Sequence, residues 1–119
     1  MSLSESMLEL VARRFRLLGE PIRIRILQVL ESGERTVSEI VDALEANQSN
    51  ISKHLGILHD GGLVGRRKQG NSIYYSIADP VIFKLCELVC RSATSDIRSR
   101  FAEIEKAQAT ARARRKGVL

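Results

Sequence analysis

The sequence predicts a mainly helical protein with a small β-hairpin, in the order α-α-α-α-β-β-α. Apolar residues recur at helical spacing in four successive segments of residues 5–60. The pattern changes to a period of two across residues 63–77, around a turn rich in glycine and asparagine. Helical spacing then returns from residue 81 onwards. These three observations together predict helices that pack around one core, with a hairpin at their side.

The first two predicted helices occupy residues 5–18 and a segment that opens at Pro21. Pro21 fits the first helical position, where its missing N–H would have no partner within the helix. Gly33 is suited to close the second helix. The apolar stripes of the two helices consist of Met7, Leu10, Val11, Phe15 and Leu18, and of Ile22, Ile26, Leu27 and Leu30.

The third and fourth helices are defined by their capping residues. Thr36 and Glu39 match a capping box, which predicts a short helix that runs to Leu44. Asn47 is a suitable N-cap for a fourth helix that ends near Asp60, before two successive glycines. Two short helices joined by a tight turn are the components of a helix-turn-helix.

The hairpin is predicted from strands at residues 63–68 and 73–77, joined by Gln69-Gly70-Asn71-Ser72. A fifth helix follows Asp79-Pro80. We expect one domain over residues 1–101 and a charged helical tail that frays over residues 102–119. The apolar face of the fifth helix comprises Ile82, Leu85, Cys86, Val89, Ala93 and Ile97.

Composition excludes several classes of protein. A chain of 119 residues has room for one modest core. No apolar run approaches the roughly 18 residues of a membrane span, and no signal peptide is recognisable, so we expect a cytoplasmic protein without membrane contact. Two cysteines in such a chain do not form a disulfide framework.

The net charge of +5 is unevenly distributed. Residues 1–90 carry 11 basic and 11 acidic side chains, whereas residues 91–119 carry 8 basic and 3 acidic ones. Between residues 46 and 78, however, Asp60 is the single acidic residue among four cations. This local basic surface suits a phosphate backbone, although a solvated charged face would show the same charges.

The fourth helix has the polarity that recognition of double-stranded DNA requires. At about 100° per residue, Ile51, Leu55 and Leu58 face the core, while small polar residues and one lysine face outwards. An outer face of this kind fits a major groove, and the helix N-terminus favours a phosphate. Basic residues near the hairpin turn can contact the backbone or the minor groove. The expected DNA-binding residues are Gln48, Ser49, Asn50, Ser52, Lys53 and His54 on the helix, and Arg66, Arg67, Lys68 and Asn71 on the hairpin.

Over roughly residues 8–95 the chain resembles the ArsR/SmtB-type bacterial winged-helix repressors. The resemblance implies a winged helix-turn-helix homodimer with the first and fifth helices at the subunit interface. It also implies an imperfect inverted-repeat operator and repression that an inducer releases. The long apolar face of the fifth helix favours a dimer independently, because so short a chain has little else to cover it. The matching runs are residues 18–27 (LGEPIRIRIL), 48–55 (QSNISKHL), 58–64 (LHDGGLV) and 70–75 (GNSIYY).

The family's metal sites are largely missing from this sequence. A site on the fifth helix of such repressors resembles Asp-x-His followed later by His-x-x-Glu. Here Asp79 is present, but Val81 stands at the first histidine position, and Ser92 and Ser95 lie near the later positions. A thiolate site on the third helix would need cysteines, which residues 36–44 lack. We therefore expect neither a metal nor another cofactor.

Cys86 and Cys90 lie four residues apart on the fifth helix, and two interpretations remain open. They can be small buried hydrophobic residues at a dimer interface. They can also form a thiol sensor that binds a soft ion such as arsenite or is oxidised. Lys84 and Arg91 are nearby cations that could lower a thiol pKa.

Other functional classes have less support in the sequence. An enzyme would need a nucleophile, a base and an orienting group together, and no such arrangement or phosphate-binding loop is recognisable. A winged helix used for protein contacts alone would show apolar or acidic residues on the outer face of the fourth helix. A chromosome-associated protein that binds DNA with low sequence specificity stays an alternative, which the basic tail supports.

Overall fold

The five predicted helices are present in the computed structural model, which describes residues 1–117. The first unit, Met1–Pro80, contains four helices and a sheet, and the second begins at Val81 and consists of one long helix. The structure thus confirms the predicted order of helices and hairpin. The helices are α1 (Glu5–Leu17), α2 (Pro21–Leu30), α3 (Val37–Leu44), α4 (Gln48–Asp60) and α5 (Val81–Arg115).

Polar side chains cap the helices as the sequence predicts. Thr36 accepts from the N–H of Glu39, and the Glu39 side chain accepts from the N–H of Thr36, which completes the predicted capping box of α3. Asn47 Oδ1 accepts from the N–H of Asn50 at 3.1 Å and caps α4. Each bond satisfies a backbone donor that the first turn of a helix leaves without a partner.

The sheet has three antiparallel strands in the order β1-β3-β2, one more than predicted. The hairpin consists of β2 (Val64–Gln69) and β3 (Ser72–Ile77). The additional strand, β1 (Arg35–Thr36), pairs with the middle of β3, where Arg35 lies opposite Tyr75. The sequence does not reveal β1 because two residues are too few to show an alternating pattern.

The hairpin turn is two residues long, Gly70-Asn71, since Gln69 pairs with Ser72. Gly70 has a φ of +62°, a conformation that favours glycine. A glycine at the first central position is typical of a tight hairpin turn that matches the twist of its strands. We call β2, this turn and β3 (residues 64–77) the wing.

The core of the first unit lies between α2, α3, α4 and the sheet. Helix α1 contributes mainly Leu17, at its C-terminal end. Leu17 contacts the end of α4 so closely that a Cβ added at Gly61 would lie 2.3 Å from its Cδ1. A side chain at position 61 would therefore displace the side chain of Leu17 from its present position. The buried apolar residues of this unit are Leu17, Ile26, Leu27, Leu30, Ile40, Ile51, Leu55, Leu58, Leu63, Val64 and Tyr75.

Helix α5 forms the second unit and is 35 residues long. The predicted domain limit at residue 101 falls inside this helix, which continues without a break to Arg115. Residues 118 and 119 of the predicted tail lie outside the described part of the chain. In residues 1–117 we find no helix that is both long and apolar enough to cross a membrane.

Candidate nucleic-acid interface

The two helices of the predicted helix-turn-helix, α3 and α4, are joined by the three residues Glu45–Asn47. Glu45 adopts the left-handed conformation, with φ 51° and ψ 46°, and so turns the chain sharply after α3. Ile51, Leu55 and Leu58 are fully buried, as predicted, and anchor α4 against the core. The orientation of α4 is therefore set by its apolar face.

The opposite face of α4 is exposed and polar. Ser49 and Lys53 lie on it, and the three other predicted contacts at its N-terminal half (Gln48, Asn50 and Ser52) are exposed as well. A Cβ added at Gly56 would meet no atom within 4 Å, so the glycine leaves an open notch on the helix. Hydroxyls, amides and one ammonium group can donate to phosphates and to the edges of bases.

His54 is a correction to the predicted set of DNA contacts. Its side chain is buried, with 8% of the residue exposed, and it faces Arg23 on α2. The Arg23 Nη1 lies 3.1 Å from His54 Nδ1. Because a guanidinium is a donor only, Nδ1 must accept, and the imidazole is then neutral with its proton on Nε2. Burial, followed by the positive charge of Arg23, lowers the pKa of His54.

Arg23 is a structurally important residue that the sequence pattern does not reveal. Its Nε donates to the carbonyl of Leu17 at 2.7 Å, and its Nη2 donates to the carbonyl of Arg16 at 3.0 Å. One side chain thus satisfies two carbonyls at the end of α1 and also holds His54 of α4. Its position off the apolar stripe of α2 gives no sign of these contacts, since the three partners lie on other helices.

The wing presents its side chains on two faces. Arg66 lies opposite Tyr75 in the β2–β3 register, and Lys68 lies opposite Ile73. Paired residues of an antiparallel ladder share a face, so Arg66 and Lys68 project on the face that carries buried Tyr75. Both cations are exposed, as is Asn71 at the turn.

Arg67 is exposed, as predicted, but its guanidinium also makes contacts within the chain that the sequence does not predict. Its Nε donates to Glu34 Oε2 at 2.9 Å, and its two terminal nitrogens bind Glu34 Oε1 and Gln69 Oε1. The guanidinium also stacks on Tyr74, 4.6 Å from the ring centroid. The hydrogen bond from Arg67 lowers the pKa of Glu34 and stabilises the charged form of both groups. Arg67 therefore ties the wing to the segment between α2 and β1.

The cysteines are in unlike environments. Cys90 is exposed, whereas Cys86 is half-buried, and burial raises the pKa of the Cys86 thiol. Lys84 and Arg91, the cations that could lower a thiol pKa, do not offset this rise in the pKa of Cys86. Arg91 pairs with Glu87 instead. Within residues 1–117 no three histidine, cysteine or acidic side chains are close enough together to hold a metal ion.

Comparison with protein families relates this arrangement to known regulators. Residues 20–65, which include α2, α3, α4 and the start of the wing, match the model described as "Bacterial regulatory protein, arsR family". The chain is 36% identical to Rv0081 of Mycobacterium tuberculosis, an uncharacterised HTH-type transcriptional regulator, over 107 residues that cover 89% of this chain and 94% of that protein. It is 40% identical to a probable mercury resistance operon repressor of Streptomyces lividans, over 77 residues that cover 65% of this chain and 62% of the repressor.

Solved structures agree with these relationships. The crystal structure of Rv0081 superposes with a TM-score of 0.71 and 36% identity, over 82% of this chain and 98% of that one. The solution structure of Mb0332 from Mycobacterium bovis superposes with a TM-score of 0.67 and 35% identity, over 79% of this chain and 90% of that one. The latter is described as a homodimeric winged helix-turn-helix DNA-binding domain. The predicted winged helix-turn-helix fold is therefore confirmed.

Proposed function

This chain belongs to the ArsR family of bacterial transcriptional regulators, and from that premise we propose that it is a sequence-specific repressor. Family membership makes it a DNA-binding regulator and not an enzyme. The observation that carries the proposal of sequence specificity is the exposed polar face of α4, where Ser49 and Lys53 stand opposite a fully buried apolar face. A helix with this polarity can enter a major groove and hydrogen-bond to base edges.

We assign separate roles to the helix and the wing. Ser49, Asn50 and Lys53 contact bases and nearby phosphates, with Gln48 and Ser52 at the flanks. Arg66 and Lys68 of the wing contact the phosphate backbone, because both are exposed and share one face. The assignment leaves out His54, which is buried, and Arg67, which is bound to Glu34.

The proposed DNA-binding form is a homodimer. Apolar residues of α1 are exposed in the single chain, with Phe15 52% and Leu10 57% exposed, and those of α5 include Val89 and Ile97. Burial of such faces in a subunit interface removes apolar surface from water. Mb0332 is described as homodimeric, which supports the same assembly here. Two recognition helices related by a two-fold axis would meet half-sites of an inverted repeat about 34 Å apart.

Selection of bound sequences from a random duplex pool tests this function. We expect enrichment of an inverted repeat and specific binding at least about a thousandfold tighter than binding to unrelated DNA. Lys53→Ala should weaken specific binding by about 1–3 kcal/mol and leave the fold intact. Lys106→Ala, which removes an exposed cation from α5, is the matched control and should keep the wild-type preference.

A failure to enrich any motif would contradict the proposal. Steep salt dependence with similar affinity for all duplexes would instead favour the low-specificity, chromosome-associated protein. In that outcome Lys53→Ala and Lys106→Ala should have equal effects, because each removes one positive charge.

For the inducer we propose a thiol-binding or thiol-oxidising agent that acts at Cys86 and Cys90. The support is the exposed thiol of Cys90, four residues from Cys86, and the relative named as a mercury resistance operon repressor. Thiolates are soft ligands, and a second copy of the helix would double their number. Operator complexes of the Cys86→Ser/Cys90→Ser protein should resist release by mercuric ion, arsenite or peroxide. If none of these agents releases wild-type protein, the two cysteines serve packing alone.

A further inference from the structure

Four basic residues crowd the C-terminal end of α5: Arg112, Arg114, Arg115 and Lys116. We call them the terminal basic cluster. All but Lys116 lie within the helix proper, and the last acidic residue of the chain is Glu105. The cluster therefore accounts for most of the net positive charge of the whole protein.

Nothing within the described chain compensates this charge. Among the earlier cations of α5, Arg91 binds Glu87 and Arg100 Nη2 lies 3.2 Å from Asp96 Oδ2, whereas Lys84, Arg98 and Lys106 have no ion pair within residues 1–117. No ion pair involves any member of the cluster within the same residues. The cluster differs from the earlier part of the helix because no acidic residue follows Glu105, so the cations are crowded together without carboxylates among them.

The cluster is held on an ordered helix end. The N–H of Lys116 donates to the carbonyl of Arg112, and the N–H of Gly117 donates to that of Arg114, both at 3.1 Å. Gly117, with a φ of +72°, closes the helix in the manner of a C-terminal glycine. At about 100° per residue, Arg112, Arg115 and Lys116 project within roughly 100° of one another.

The cluster concentrates like charges at one helix end. The dipole of a helix places about half a negative charge at its C-terminus, which favours cations there. Arg112 and Arg115 are three residues apart, and Arg112 and Lys116 are four apart, so these like charges repel. Contact with a polyanion would remove this repulsion and release the polyanion's counterions.

We propose that the terminal basic cluster is a second DNA-binding site, which contacts duplex phosphates irrespective of sequence. The proposal rests on the DNA-binding function proposed above. A duplex is favoured over other polyanions because the chain belongs to a family of DNA-binding regulators, so a duplex is the polyanion that it already binds. Four alanines, which do not cover the long side chains of the cations, lie before and within the cluster: Ala107, Ala109, Ala111 and Ala113.

The salt dependence of binding to a random-sequence duplex of about 40 base pairs tests the proposal, with affinities measured by fluorescence anisotropy between about 50 and 200 mM salt. The variant is full-length protein with Arg112→Gln, Arg114→Gln and Arg115→Gln, since glutamine preserves helix propensity. The slope of log affinity against log salt should become shallower by about 0.9 for each phosphate that the variant no longer neutralises, or about 3 per chain. Circular dichroism should show unchanged helix content.

A matched variant removes three other cations of the same helix, by Lys84→Gln, Arg98→Gln and Lys106→Gln. Its slope should stay within about 1 of the wild-type value. The proposal would be overturned if the salt slopes of the two variants were equal, or if the slope of the cluster variant were unchanged. Either result would leave the DNA-binding function intact as long as wild-type protein binds DNA. The proposal would also be overturned if the cluster variant kept the DNA slope of wild type but bound phosphatidylglycerol vesicles or single-stranded RNA more weakly. That result would assign the cluster to the membrane lipid or to RNA. No binding of wild-type protein to any duplex would contradict the DNA-binding function itself.

Discussion

Arg67 combines an exposed position on the wing with contacts inside the chain. Its charge predicts a contact with the DNA backbone, while its guanidinium binds Glu34 and Gln69 and stacks on Tyr74. Arg66 and Lys68, its neighbours in sequence, are also exposed and project on the other face of the strand. Alternation along β2 thus places Arg67 on the face opposite the two proposed phosphate contacts, and we propose that its main role is to hold the wing in place.

One substitution distinguishes a structural role of Arg67 from a contact with DNA, because the two roles predict opposite changes in DNA affinity. Glu34→Gln removes a negative charge, so general electrostatics predicts tighter DNA binding by the variant. If Arg67 holds the wing in place, the variant should instead bind operator DNA several-fold more weakly, because the wing is no longer attached. Operator affinity measured by fluorescence anisotropy gives the answer.

A double-mutant cycle serves as the control for this substitution. Arg67→Ala and Glu34→Gln should together weaken binding no more than Arg67→Ala alone, since the pair of Arg67 with Glu34 is already lost in that single variant. Glu31→Gln, at an exposed carboxylate nearby in sequence, should bind slightly more tightly than wild type. Tighter binding by Glu34→Gln would return Arg67 to the set of DNA contacts.

His54 makes the stability of the fold depend on pH. Its pKa in the folded protein is lowered from the usual 6.5 by burial and by the positive charge of Arg23, with Lys53 adding to the effect and Glu20 opposing it. The unfolded chain therefore binds the proton more readily than the folded one. Stability should be fully present above about pH 6.5 and should fall as the pH drops towards the folded pKa.

Urea unfolding between about pH 7.5 and 5.5 measures this dependence. In His54→Gln the amide oxygen can accept from Arg23 but does not titrate, so the decline over this range should be reduced. His59→Gln is the matched control, because His59 is only partly buried and its replacement should leave the decline in place. The lowered pKa values of Glu34 and Glu39 affect stability only below about pH 4.5, outside this range. An equal decline in His54→Gln would refute the role of His54.

Helix α4 combines a buried apolar face with an outer face that lacks bulky side chains. Gly56 lies in the middle of the helix, where glycine is unfavourable, and a Cβ there would meet no protein atom. Gly56→Ala should therefore raise the free energy of unfolding by about 0.5–1 kcal/mol. If the notch allows close approach to DNA, the same change should weaken operator binding.

Denaturant unfolding and anisotropy on the same preparation measure both effects. Ser95→Ala is the control, because it also raises helix propensity but at an exposed position of α5. This substitution should leave the affinity for operator DNA unchanged. A more stable Gly56→Ala protein with unaltered affinity would show that the notch has no part in binding.

The helices and the hairpin could be predicted because each depends on a pattern within its own segment. The period of apolar residues and the caps at Thr36 and Asn47 are local signals. The strand β1, the pairing of Arg67 with Glu34 and the burial of His54 against Arg23 are not, because each depends on a partner about 30 to 40 residues away. The pattern within α4 predicts a DNA contact for His54, whereas its contact with Arg23 on α2 accompanies the burial of the ring.

Helix α1 presents an apolar face to solvent in the single chain. Phe15 is 52% exposed, and Met7, Leu10 and Val11 accompany it. Phe15→Glu should shift the protein from dimer to monomer, because a carboxylate cannot be buried without a partner. Sedimentation equilibrium measures the shift, and operator affinity should fall with it.

The neighbouring substitution Arg16→Glu provides the comparison for Phe15→Glu. Arg16 is exposed, and the contact it makes with Arg23 uses its backbone carbonyl, which the substitution retains. This variant should stay dimeric. A dimeric Phe15→Glu protein would mean that α1 lies outside the subunit interface.

The short strand β1 has a consequence for any effort to redesign the specificity of this regulator. It pairs with β3 of the wing and directly precedes α3. The ion pair of Arg67 with Glu34, the residue before β1, strengthens this link between the wing and α3. A transplant of α4 alone into another scaffold would leave behind the parts that fix its orientation relative to the wing. A transferable module therefore has to include α2 as well as residues 34–77, because Arg23 and the buried residues of α2 also hold α4. Altered sequence preference is best sought by varying exposed positions inside it while Glu34, Arg67 and Tyr74 are kept.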